Sequence, residues 1–162
     1  MITTFYLSAA IAVFSTFMVI TRLNLIHALL YLVVSLLSVA LIFLIIGAPF
    51  VAALEVIIYA GAIMVLFIFA IMMLGFGPHA SKKQDYWLSH EVWIGPVICS
   101  AALMGELVYV VTQGNSGIAG GMVVGPKEVG VSLFSVYLVG IELASMLLLA
   151  GIIGAYHLGR RT

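Results

Sequence analysis

Three carboxylates stand where a bilayer would least tolerate them. Glu55, Glu106 and Glu142 all lie inside long apolar runs, whereas none of the six Lys and Arg residues does. A charged side chain at the centre of a membrane helix costs on the order of 3 kcal/mol even on mild insertion scales. Such residues face protein or water, and by default they are candidates for carrying or relaying a proton. The richest setting is Glu55's, in LEVIIYAGAIMVLFIFAIMML, Leu54 to Leu74. Tyr59 follows Glu55 by four residues, the spacing that puts two side chains on one helix face. The small run Ala60-Gly61-Ala62 comes next. A helix that only crosses lipid needs none of these.

Each polar group also has a plainer reading. Glu55 lies near the end of its run and can reach water or bond Tyr59. Glu142 sits deepest, three residues from the middle of its run, roughly 4–5 Å along the axis at 1.5 Å per residue. Gly140 and Ala144 flank it and admit a neighbouring helix closely. Either Glu142 hydrogen-bonds that neighbour or it belongs to a proton or water path. Glu106, toward the end of its own run, reads more as packing than as function. Ala60-Gly61-Ala62 suits close helix packing, or marks a weak point where a π-bulge can form. His27 and His157 read as interfacial structural residues, and Met64, Met72, Met73, Met104 and Met146 as packing.

The elements that must hold these groups follow from composition. The 162 residues are 65% hydrophobic and only 7% charged, against about 25% in a soluble domain. Such a chain cannot cover itself with a solvated surface and is an integral membrane protein. Its formal net charge of zero offers nothing to nucleic acid. The single Cys99 excludes a disulfide framework and is too little for a cluster or zinc site. No phosphate-binding loop or dinucleotide fingerprint is present, so no cofactor-binding residue is expected in this chain.

The apolar runs do not alternate as barrel strands do, and each is long enough for a helix of about 20 residues. Five spans are expected in one membrane domain: Ile2–Ile20, Ile26–Ile46, Val51–Leu74, Val92–Thr112 and Leu133–Leu158. The first lacks a basic residue before it, so it reads as a retained span rather than a signal peptide. Gly47-Ala48-Pro49-Phe50 forces a hairpin. The glycine-rich stretch Gln113 to Gly130 reads as a loop. Arg22, Lys82, Lys83, Arg160 and Arg161 fall on one side and Lys127 on the other, which favours an N-out, C-in orientation. Tyr86, Trp87 and Trp93 suit an aromatic belt at the inner end of the fourth span.

HALLYLVVSLL (His27–Leu37), the third-span stretch Leu54–Leu74, VWIGP (Val92–Pro96) and ELASMLLLAGIIGAYHLGR (Glu142–Arg160) closely resemble the J-chain family of bacterial NADH-quinone oxidoreductase, respiratory complex I. The mitochondrial counterpart is NADH dehydrogenase subunit six. YAGAIMVLF is the most specific part. Gln113 to Gly130 matches least, and Glu106 is not a position of the family pattern.

The resemblance implies a non-redox subunit of a proton-pumping complex in the bacterial cytoplasmic (inner) membrane. FMN, iron–sulfur clusters and quinone would be handled by other subunits. The partners implied are lipid and the A, K, H and N chains of the membrane arm. It also implies a π-bulge in the third helix, around Tyr59 to Val65, that switches to a regular α form. Tyr59 would then be a polar member of a hydrated proton path, and Gly61, Met64, Val65 and Phe67 the turning segment. Glu55 and Glu142 would be the acids nearest that path, although the gating motif begins beyond Glu55. Related cation/proton antiporters and membrane-bound hydrogenases share this module, and a purely structural scaffold is the remaining alternative.

Overall fold

The computed structural model describes residues 2–22, 24–74, 90–112 and 123–160. Every regular element among them is helical. α1 covers Ile2–Thr21 and α2 Leu25–Ile45. A continuous third span follows, made of α3 (Pro49–Leu54), a π-helical segment (Glu55–Ile63) and α4 (Met64–Leu74). Then come α5 (His90–Thr112), α6 (Pro126–Ser135) and α7 (Leu138–Gly159). Five stretches are long and apolar enough to cross a membrane: Ile2–Thr21, Leu25–Ile45, Pro49–Met73, Trp93–Thr112 and Leu138–Gly159. Helices suit this sequence because they satisfy each backbone N–H and C=O within the segment, as lipid demands.

Local chemistry sets the boundaries. The Asn24 side chain accepts the Ile26 N–H at 3.1 Å and caps α2. At the other end, Gly47 takes φ 91°, a left-handed conformation suited to glycine. Gly47 N–H then donates to Leu44 at 3.2 Å and Ala48 N–H to Phe43 at 2.9 Å, which closes the last turn in a Schellman motif. Pro49 opens the third span at its first turn, where a missing N–H costs nothing. The span therefore begins two residues earlier than its apolar run suggests.

The chain divides into two compact units, Met1–Val123 and Val124–Thr162. In the first, α2 is central and packs against α1, the third span and α5. Val34, Leu41, Ile45 and Leu103 form its buried core, with Phe5, Leu37, Cys99 and Val110 against it. Small polar groups knit α1 to α2. Thr16 Oγ1 and Ser35 Oγ lie 2.8 Å apart, and both hydroxyls reach the Ala12 carbonyl. In lipid such contacts and close packing take over from the hydrophobic effect. Tyr31, buried, lies against Gly95 of α5. The His27 ring stands 5.5 Å from the Tyr31 ring, and the Arg22 guanidinium 5.9 Å above it.

The second unit departs from the sequence reading in two ways. Residues 126–130, read as the end of a glycine-rich loop, form the first half of α6. Pro126 suits the first turn, and the Glu128 carboxylate accepts the Gly125 N–H. The fifth apolar run is also not one helix from Leu133. The N–H groups of Val136 and Tyr137 both turn back to the Ser132 carbonyl at 3.2 Å, and α7 starts only at Leu138. The remainder of the expected loop (113–122) lies outside the described residues, as do Lys82, Lys83, Asp85, Tyr86, Trp87 and Arg161.

Candidate functional site: the third span and its buried neighbours

The third span changes helical register at its middle. Met64 N–H donates to the Tyr59 carbonyl, five residues back, and shares that donor with Gly61, three back. An i→i−5 bond accommodates one more residue per turn than the α ladder, and π pieces of this kind concentrate at functional sites. The π segment runs from Glu55 to Ile63, so it starts four residues before the stretch that the resemblance singled out. Glu55 is its first residue rather than a bystander upstream.

Glycine has a specific place in this geometry. A Cβ on Gly61 would meet the Val56 carbonyl oxygen at 3.2 Å, because the wide turn carries that carbonyl under residue 61. No hydrogen bond joins Glu55 and Tyr59 among the described residues. Tyr59 is 49% exposed, and Val65 and Phe67 are similarly open. Met64 behaves differently. It is 1% exposed, the largest fully buried side chain among the described residues, and sits one residue past the π segment. The five residues proposed as gate and path thus split, with Met64 turned into the unit while Tyr59, Val65 and Phe67 face out of it.

An apolar groove of about 550 Å³ borders the π segment. Val56 lines it with Ala52 and Ala53 from α3, Leu41 from α2, and Leu103 and Met104 from α5. The segment therefore has open space on one side.

Glu142 lies in the second unit, four residues into α7, roughly 6 Å from the start of that helix. It is not near the middle of its span, because the turn at Val136–Tyr137 moves the helix start forward. Its backbone carbonyl accepts the Ser145 hydroxyl at 2.8 Å.

Glu106, read from the sequence as packing, has a specific interhelical partner. It is 6% exposed, and its Oε2 accepts the Ser8 hydroxyl at 2.7 Å. This bond joins α5 to α1 across 98 residues of chain. A signal was available: Thr4, Ser8 and Ser15 repeat on one face of α1 at helical spacing, and all three are buried.

Comparison with known proteins gives this arrangement a family. Residues 15–158 match the family model described as NADH-ubiquinone/plastoquinone oxidoreductase chain 6. The NADH-quinone oxidoreductase subunit J of Pseudomonas aeruginosa is 49% identical over 158 residues, covering 97% of this chain and 95% of the relative. That of Escherichia coli strain K12 is 47% identical over 156 residues, covering 96% and 85%. That of Buchnera aphidicola from Schizaphis graminum is 43% identical, with 96% of each chain covered. The chain belongs to the NADH-ubiquinone/plastoquinone oxidoreductase chain 6 family.

Proposed function

We propose that this chain is a membrane-arm subunit of a proton-translocating NADH:quinone oxidoreductase, and that its third span couples quinone reduction to proton movement by switching between π and α register. The observation that carries this reading is the Met64 N–H to Tyr59 carbonyl bond at the end of the π segment. Returning that turn to the α ladder rotates everything beyond it by about 100°, one residue's share of a 3.6-residue turn. Met64, withdrawn into the unit in the π form, swings outward, and Val65 and Phe67 turn with it. A bulky apolar side chain in a narrow polar path excludes water and stops protons, and its removal lets a water chain form. The Tyr59 hydroxyl then serves as donor and acceptor in that chain, with Glu55 as the acid of the same π segment. The groove beside Val56 supports the switch by leaving room on one side of the π segment. Two packings of one element that differ by little energy are what a coupling device requires.

In this reading the chain carries no redox group. FMN, the iron–sulfur clusters and quinone belong to other subunits, and the A, K, H and N chains surround it in the cytoplasmic membrane. Its N-terminus faces outward and its C-terminus inward, with Arg22 and Arg160 on the inner side and Lys127 on the outer.

The test is a pair of variants in the fully assembled complex. Tyr59→Phe removes one hydroxyl from the path, and Val65→Gly weakens the turning segment. Each is expected to reduce proton pumping and quinone reductase activity severalfold at normal assembly. Unchanged pumping and turnover in both would sink the reading. Glu142→Gln separately decides that acid: normal pumping in an assembled complex assigns it to packing.

A further inference from the structure

The buried carboxylate of Glu106 has a second oxygen with nothing to bond. Among the described residues three buried side-chain polar atoms lack a partner: Glu106 Oε1, Ser15 Oγ and His27 Nε2. Glu106 reaches across the seam of the first unit where α1 meets α5. Ser8 and Ser15 are both fully buried and seven residues apart, two turns along one face of α1 and roughly 10 Å along its axis. The Ser8 hydroxyl donates its proton to Glu106 Oε2 and keeps its lone pairs open to another donor.

We propose that Glu106 and Ser8 form an internal water-binding site between α1 and α5, separate from the third span and independent of its role. The ligand is water, which can donate to Glu106 Oε1 and to the lone pairs of Ser8. Lipid can supply no donor to these atoms, so the protein interior must. An unmet buried acceptor is costly, and native interiors meet such atoms with ordered water held by two to four polar partners. Ser8 lies six residues from Ile2, roughly 9 Å from the helix start, so the site sits near one end of α1.

A density map of the assembled complex in lipid nanodiscs, at a resolution that shows individual waters, tests the site directly. The expected result is a water peak within hydrogen-bonding distance of Glu106 Oε1, lost in a Glu106→Leu complex. A well-defined carboxylate with no peak at Oε1, or with a protein donor there, overturns the proposal. If that variant does not assemble, the map of the unaltered complex decides alone.

Discussion

Met64 hands its backbone N–H to the Tyr59 carbonyl, five residues back, while its own side chain is sealed inside the first unit. One residue thus closes the π turn with its backbone and anchors the span with its side chain. That coupling makes the local register testable by substitutions that act on one aspect at a time.

Gly61→Ala acts on the backbone. In an ordinary α-helix, alanine is favoured over glycine by about 1 kcal/mol. Here the new Cβ meets the Val56 carbonyl at 3.2 Å, a backbone atom that yields only if the turn tightens. The propensity gain is shared by both registers, so the contact alone pushes toward the α form, and each ~1 kcal/mol of such bias is roughly a fivefold population shift. A structure of the assembled Gly61→Ala complex should show Met64 N–H bonded four residues back in most particles. Retention of the Tyr59 bond at unchanged occupancy would show that residue 61 does not set the register.

Met64→Ala acts on the side chain. Removing a buried large side chain costs about 2–5 kcal/mol in soluble cores. Between membrane helices the loss is mainly of packing, so the lower end of that range applies. Met64→Leu conserves volume and should cost less than about 1.5 kcal/mol. Unfolding of the purified chain in mixed micelles, followed by helical circular dichroism, should rank wild type, Leu and Ala in that order. An alanine variant as stable as wild type would mean that Met64 is not an anchor.

The sequence makes some of this architecture legible and hides the rest for physical reasons. Apolar runs mark the spans because lipid imposes a length on them, and Gly47-Ala48-Pro49 marks the hairpin because a left-handed glycine and a first-turn proline have few other uses. The start of α6 is obscured because Pro126 follows a glycine-rich stretch whose composition reads as loop. The turn at Val136–Tyr137 is hidden because nothing in VSLFSVYLVG breaks a helix by propensity, and that break moved Glu142 away from mid-span. The π segment cannot be read from propensity at all, since an i→i+5 ladder uses the same residues as an i→i+4 one. Resemblance pointed to Tyr59–Val65, and the structure has the segment begin at Glu55. The partner of Glu106 is hidden for another reason. The significance of this carboxylate lies in facing Ser8, 98 positions away, and single-helix periodicity says nothing about which helices meet.

The contact between Gly95 and Tyr31 yields a prediction with an internal control. A Cβ on Gly95 would collide with the Tyr31 hydroxyl oxygen and stand 3.1 Å from Cζ, so a Gly95→Ala side chain cannot be added without moving the ring. Tyr31 is buried, beneath Arg22 and beside His27, and has little room to move. Overpacking of this kind costs about 1–3 kcal/mol. Tyr31→Phe removes the atom in closest conflict and leaves only the tighter-than-usual approach to Cζ. The double variant Gly95→Ala/Tyr31→Phe should therefore be more stable than the sum of the two single changes implies, by about 0.5 kcal/mol or more. A double-mutant cycle on unfolding in micelles measures that term. Strict additivity would mean that α2 and α5 relax apart at this level, and that the Tyr31 hydroxyl does not determine how closely α5 approaches α2.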